Sequence, residues 1–213
     1  MPDTLRRRLL QTAVASVLSL IAPRAFAQVP WGTAAKLLLE ALNGISGALG
    51  ISQYISKWFG DKRCVVSLSE LEDVKYQCQI MALSLDFAGS GALPLLKMYI
   101  EKGDQASWLR AKTALGTLLN NGKELMLVVN DLINKLDPET FPGPQEEITE
   151  LYSGISRIRA AVSIAASLPD RPEPETITVA KSVFSSLSEL PPRSSGATRE
   201  LELAVEERRR ASC

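Results

Sequence analysis

Glu146, Glu147 and Glu150 crowd three carboxylates into five successive residues. Paired carboxylates are what a glycosidase uses as acid and base, or as acid and nucleophile. These three follow the stiff link Phe141-Pro142-Gly143-Pro144 and open an apolar-periodic run, so the positive end of a helix dipole accounts for them. Nothing in the sequence marks which pair would act, and aromatic residues to stack sugars make up 6% of the chain. Histidine is absent, which removes the commonest general base and the commonest metal ligand together. Gly89-Ser90-Gly91-Ala92-Leu93-Pro94 lacks the lysine and the preceding strand of a phosphate loop. No catalytic, cofactor-binding or metal-binding residue is assigned, and the chain reads as non-enzymatic. A carboxylate-based polymer hydrolase is the alternative.

The compartment is written at the N-terminus. Arg6, Arg7 and Arg8 precede an apolar run from Leu9 to Ala22, about the length of a signal-peptide core and short of the roughly 20 residues that span a bilayer. Ala25-Phe26-Ala27 supplies the small-x-small pattern of a signal peptidase site, which places cleavage before Gln28. Arg6-Arg7-Arg8-Leu9-Leu10-Gln11 resembles a twin-arginine export signal, two arginines and a spacer followed by the apolar pair Leu9 and Leu10. Leu5 stands where that pattern has a polar residue. The resemblance implies export to the periplasm or beyond, and it covers the leader alone.

Removing residues 1–27 leaves 186 residues with 20 basic and 23 acidic side chains, enough for one domain with a core. No basic surplus remains for a phosphate backbone, so nucleic acid is not an expected partner.

Export also bears on Cys64, Cys78 and Cys213, because two of three cysteines pair in an oxidising compartment. They show neither CxxC nor close metal spacing. Two capping boxes compete to start the helix that carries Cys78, Ser67 with Glu70 and Ser69 with Glu72. From Ser67, Cys78 lies about 16 Å up the axis, while Cys64 can return about 10 Å at most. A disulfide, with its Cα atoms about 6 Å apart, cannot close that gap. A start at Ser69 or beyond permits it. The expected pair is Cys64–Cys78 with that later start and Cys213 free; Cys78–Cys213 is the rival.

The elements are helical throughout. From Trp108, the positions Ala111, Leu115, Leu118, Gly122, Leu125, Val129, Leu132 and Leu136 follow spacings of three and four. The stripe crosses Asn120-Asn121-Gly122 without a change of phase, which predicts one helix over 107–136 with Gly122 facing a close neighbour. Leu68, Leu71, Val74, Cys78, Met81 and Leu85 share a face, as do Ile148, Leu151, Ile155, Ile158, Val162 and Ala165. A shorter helix carries Ile177, Ala180, Phe184 and Leu187, and Leu93–Lys102 reads as a connecting helix. The fold class is all-α, an antiparallel bundle of four to six helices with coiled-coil-like stripes over residues 28–190. Residues 191–213 read as a polar, mobile tail with a short helix from Thr198.

Residues 28–60 stand apart. Ala41 to Ser56 carries no charge, and Gly44, Gly47 and Gly50 recur every third residue. Such a register suits close helix contact, a hinge or insertion into lipid. Ile51, Ile55, Trp58 and Phe59 are the expected interaction face, for a protein partner or a membrane. The sequence thus points to an exported, non-enzymatic helical protein of the bacterial envelope that binds another protein, in an immunity, adaptor or secretion/conjugation accessory role. Hydrolysis of envelope polymers and membrane activity through residues 28–60 are the alternatives.

Overall fold

The computed structural model describes residues 30–58, 65–86, 89–136 and 143–211, with the side chains of 56–58 excepted. The export motif and the cleavage site lie outside the described residues. Among those described, six long helices and one short connector make an all-α bundle without strands. They are α1 (Trp31–Trp58), α2 (Leu68–Asp86), α3 (Ala92–Lys102), α4 (Gln105–Lys135), α5 (Gln145–Ser167), α6 (Pro174–Ser188) and α7 (Leu190–Arg210). The expected connector is α3.

Local chemistry sets the helix ends. Ser67 and Glu70 form a capping box: Ser67 N–H donates to Glu70 Oε2 at 2.8 Å, and Glu70 N–H donates to Ser67 Oγ at 3.3 Å. α3 closes at Gly103, whose φ of 64° is the left-handed conformation glycine tolerates, and its N–H donates to Tyr99 O. One residue on, Asp104 caps α4 by accepting from Ser107 N–H at 2.9 Å. α4 then runs unbroken for 31 residues through Asn120-Asn121-Gly122, roughly 46 Å. The unbroken phase of the apolar stripe is the sequence signal of this continuity.

α1 is the central element, flanked by α5, α7, α6 and α4. Its glycine register is a seam for close helix approach. A Cβ at Gly44 would stand 2.4 Å from the Gly154 Cα of α5, and one at Gly47 would stand 2.5 Å from Glu147 O. Gly122 does the same on α4, where a Cβ would meet Ile45 Cδ1 at 2.2 Å. The long linker after α5 is pinned from α4. Trp108 Nε1 donates to Pro169 O at 2.6 Å, and Lys112 Nζ bonds Leu168 O and pairs with Asp170 at 2.8 Å.

Three expectations change. Ile51 and Ile55 are fully buried in the core, so they offer no face to a partner or to lipid. α1 is long and apolar enough to cross a membrane by length and composition, but here its apolar surface is spent on α5 and α7. The side chain of Trp58, and Phe59, lie outside the described residues.

Residues 190–210 are not a mobile tail. They form α7, which buries Leu190, Ser194, Ala197, Leu201, Ala204 and Val205 against α1 and α2. Pro191 and Pro192 sit in its first turn, where a missing N–H costs no intrahelical bond. The bundle domain therefore extends to Arg210.

The third concerns the cysteines. The Cys64–Cys78 bridge required a helix start at Ser69 or beyond, and Ser67 caps the helix instead. Cys64 and Cys213 lie outside the described residues. Cys78 carries a free, buried thiol. Its carbonyl accepts from Ser194 Oγ of α7 at 2.9 Å. Burial pushes the thiol up to about 12, against a smaller opposing effect from a hydrogen bond with Ser52 of α1. Ser52 of α1 thus meets the thiol, and α7 holds the backbone beside it.

Glu70 ties the start of α2 to the end of α4. The bond from Lys135 is the largest cause, with Ser67 next, that holds its carboxyl down to about 2 from an ordinary 4.5. A depressed carboxylate stabilises the fold above its unfolded pKa, and that contribution is lost as pH falls from about 4.5 towards 2. Lys135 is 57% exposed, so solvent screening keeps the effect small. Glu70→Gln is expected to cost about 0.5–1 kcal/mol at pH 7. It should also flatten the loss of stability between pH 4.5 and 2 in urea titrations. An unchanged acid limb would refute the assignment.

Candidate functional site

Leucines that fall off the inner stripes mark the site. On α2 the buried positions are Leu71, Val74, Cys78, Met81 and Leu85, and Leu83 points away from them, 56% exposed. On α4 the stripe begins at Trp108 and Ala111, and Leu109 beside it is 41% exposed. These two leucines both line an open groove of about 530 Å³ between α2 and α4. Leu95 of α3 contributes to its lining and is nearly buried. The α2–α3 connection at Ser90 and Gly91 closes one end. Asn121 Nδ2 of α4 donates to Ser84 Oγ of α2 at 2.6 Å, which fixes the spacing of the two helices.

Leu83 is also shared with a second groove of about 560 Å³, between α2 and α7, lined by Ala82, Thr198, Arg199 and Glu202 among others. α2 therefore carries an apolar ridge with a depression on either side. Tyr76, 57% exposed, continues it two turns earlier. The periodic stripes do not mark this ridge, because Leu83 and Leu109 fall outside them. An exposed leucine off the stripe on each of two neighbouring helices was the available signal.

The carboxylates land elsewhere, at the first turn of α5 over the glycine seam. A Cβ at Gly50 would stand 2.8 Å from Glu147 Cγ, and one at Gly47 would stand 3.1 Å from Glu150 Cβ. Burial is the largest influence on the Glu150 carboxyl and raises its pKa; the Arg193 charge opposes this, while Glu146 and Glu147 add to it. A shallow basin beside them is lined by Gly50, Gln53, Tyr54, Pro144, Glu147 and Arg193. Gln53 Nε2 donates to Arg193 O at 2.8 Å across it. Glu150, the perturbed carboxyl, does not line this basin. The cluster packs one helix onto another. Among the described residues, no three His, Cys, Asp or Glu groups converge to hold a metal ion.

Comparison with protein-family models, with curated proteins and with solved structures gives no match for this chain. The groove is therefore interpreted from its own residues.

Proposed function

We propose that the chain is a non-enzymatic, exported helical protein of the bacterial envelope that acts by binding another protein through the groove between α2 and α4. Leu83 and Leu109 carry this reading: two large apolar side chains exposed along one groove are what a partner would bury. The leader supports the location, through Arg6, Arg7, Leu9 and Leu10 and the Ala25-Phe26-Ala27 site ahead of Gln28. An immunity, adaptor or secretion/conjugation accessory role fits a small bundle that presents one such surface.

The test is affinity purification from envelope extracts with tagged wild type and Leu83→Asp. Wild type should retain a stoichiometric partner, and the variant should lose most of it with its circular dichroism and melting unchanged. Equal retention by the two proteins, or no stoichiometric partner for wild type, would overturn the proposal.

A further inference from the structure

We infer that the occupant of the groove between α2 and α4 is a helix of the partner protein that brings an apolar stripe and one carboxylate, the carboxylate meeting Arg110. The inference rests on the binding reading above and names the chemistry of the partner. It comes from asking which polar atoms in the groove remain open to a ligand. Thr113 Oγ1 donates to Leu109 O at 3.3 Å, and Thr117 Oγ1 donates to Thr113 O at 3.1 Å. Ser84 Oγ donates to Ile80 O at 2.9 Å while accepting from Asn121. Ser90, which carries the fourth hydroxyl, also has an interaction within the chain.

With their hydroxyls bonded inside the protein, the two threonines can turn methyl groups to an occupant. Together with Leu83, Leu95 and Leu109 they make walls that ask for apolar side chains rather than for a sugar or another polar ligand. Arg110 is the one charged residue lining the groove among the described residues. It takes part in none of the ion pairs among them. A guanidinium beside an apolar surface recognises a carboxylate through a two-point hydrogen bond. Two neighbouring helices with a furrow between them receive a third helix through anchors at i, i+3 or i+4, and i+7. One acidic residue at the flank of such a stripe would fix its direction and register.

The probes are a panel of designed amphipathic helical peptides, each made in a Glu-flanked and a Lys-flanked form. Binding to the full chain is read by fluorescence anisotropy, and the contact is mapped by cross-linking. The Glu-flanked forms should bind at least tenfold more tightly than their Lys-flanked counterparts. Arg110→Glu should reverse that order, and Leu83→Asp should weaken both forms at least tenfold, with circular dichroism unchanged in each variant. Equal binding of the two forms, no binding of either, or a preference that survives Arg110→Glu would overturn the inference. A concentration-dependent dimer abolished by Leu83→Asp would overturn it in favour of a second copy of this chain. If the peptides fail while a stoichiometric envelope partner is still lost from Leu83→Asp, the binding reading stands and only this description of the partner falls.

Discussion

Gly44→Ala is expected to destabilise the protein, whereas Gly116→Ala, the same substitution in another helix, should stabilise it. At Gly44 the added Cβ would stand 2.4 Å from the Gly154 Cα and 2.8 Å from Met126 Sδ. Backbone cannot rotate away as a side chain can, so α1 and α5 must separate along the seam that joins them. Overpacking of this kind costs about 1–3 kcal/mol, and the contact here is backbone to backbone, so the upper part of that range applies. The gain in helix propensity, about 1 kcal/mol, offsets only part of it. At Gly116 a Cβ would meet nothing within 4 Å, so the propensity gain of about 0.5–1 kcal/mol stands alone. Urea midpoints of the two variants should move in opposite directions. A stabilised Gly44→Ala would show that α1 and α5 do not meet at this crossing.

Ile55→Ala should cost about 2–5 kcal/mol, the range for emptying a well-packed aliphatic site. Ile55 has no exposed surface, and it sits near the end of the central helix, where α7 packs on α1. Leu83→Ala, at an exposed ridge, is expected to stay within about 0.5 kcal/mol of wild type. The pair separates the two uses of an apolar residue in this chain. Thermal or urea unfolding measures the first effect, and partner retention measures the second. If Ile55→Ala left stability unchanged and reduced binding to a partner or to vesicles, the central placement of α1 would be wrong.

Much of the fold is legible in the sequence. Of the six residues expected on the inner face of α2, the five from Leu71 to Leu85 are buried and Leu68, in the first turn, is partly buried, because a single stripe of large side chains leaves one solution for helix orientation. Continuity through Asn120-Asn121-Gly122 was legible for the same reason: a chain reversal would have reset the phase. α5 was read one notch off. Its expected stripe includes Ile155 and Val162, which are partly buried, while Gly154 and Ala161 lie inside. Large residues were weighted as core, yet the closest approach of two helices selects the smallest.

α7 was lost to its composition. Its buried positions include Ser194, Ala197 and Ala204, small residues that carry little apolar signal, and its two prolines, a residue type that can end a helix, stand in its first turn. The groove was invisible for a further reason, since each wall belongs to a different helix and Arg110 matters only through what stands around it. The choice between core and partner surface for Ile51 and Ile55 was equally out of reach, because both uses select the same side chains.

By itself, the sequence determined the all-α class, the long helix α4, the inner face of α2 and the short connector α3. These are properties of one helix at a time, set by periodicity and caps over neighbouring residues. Only the tertiary structure decided that the uncharged helix α1 is the centre, that its glycines are a seam with α5, and that Leu83, Leu109 and Arg110 share one groove. Those outcomes depend on which faces meet after the chain has turned back on itself. Burial of apolar surface drives that meeting without direction, and the exact shapes of the facing side chains choose the partner.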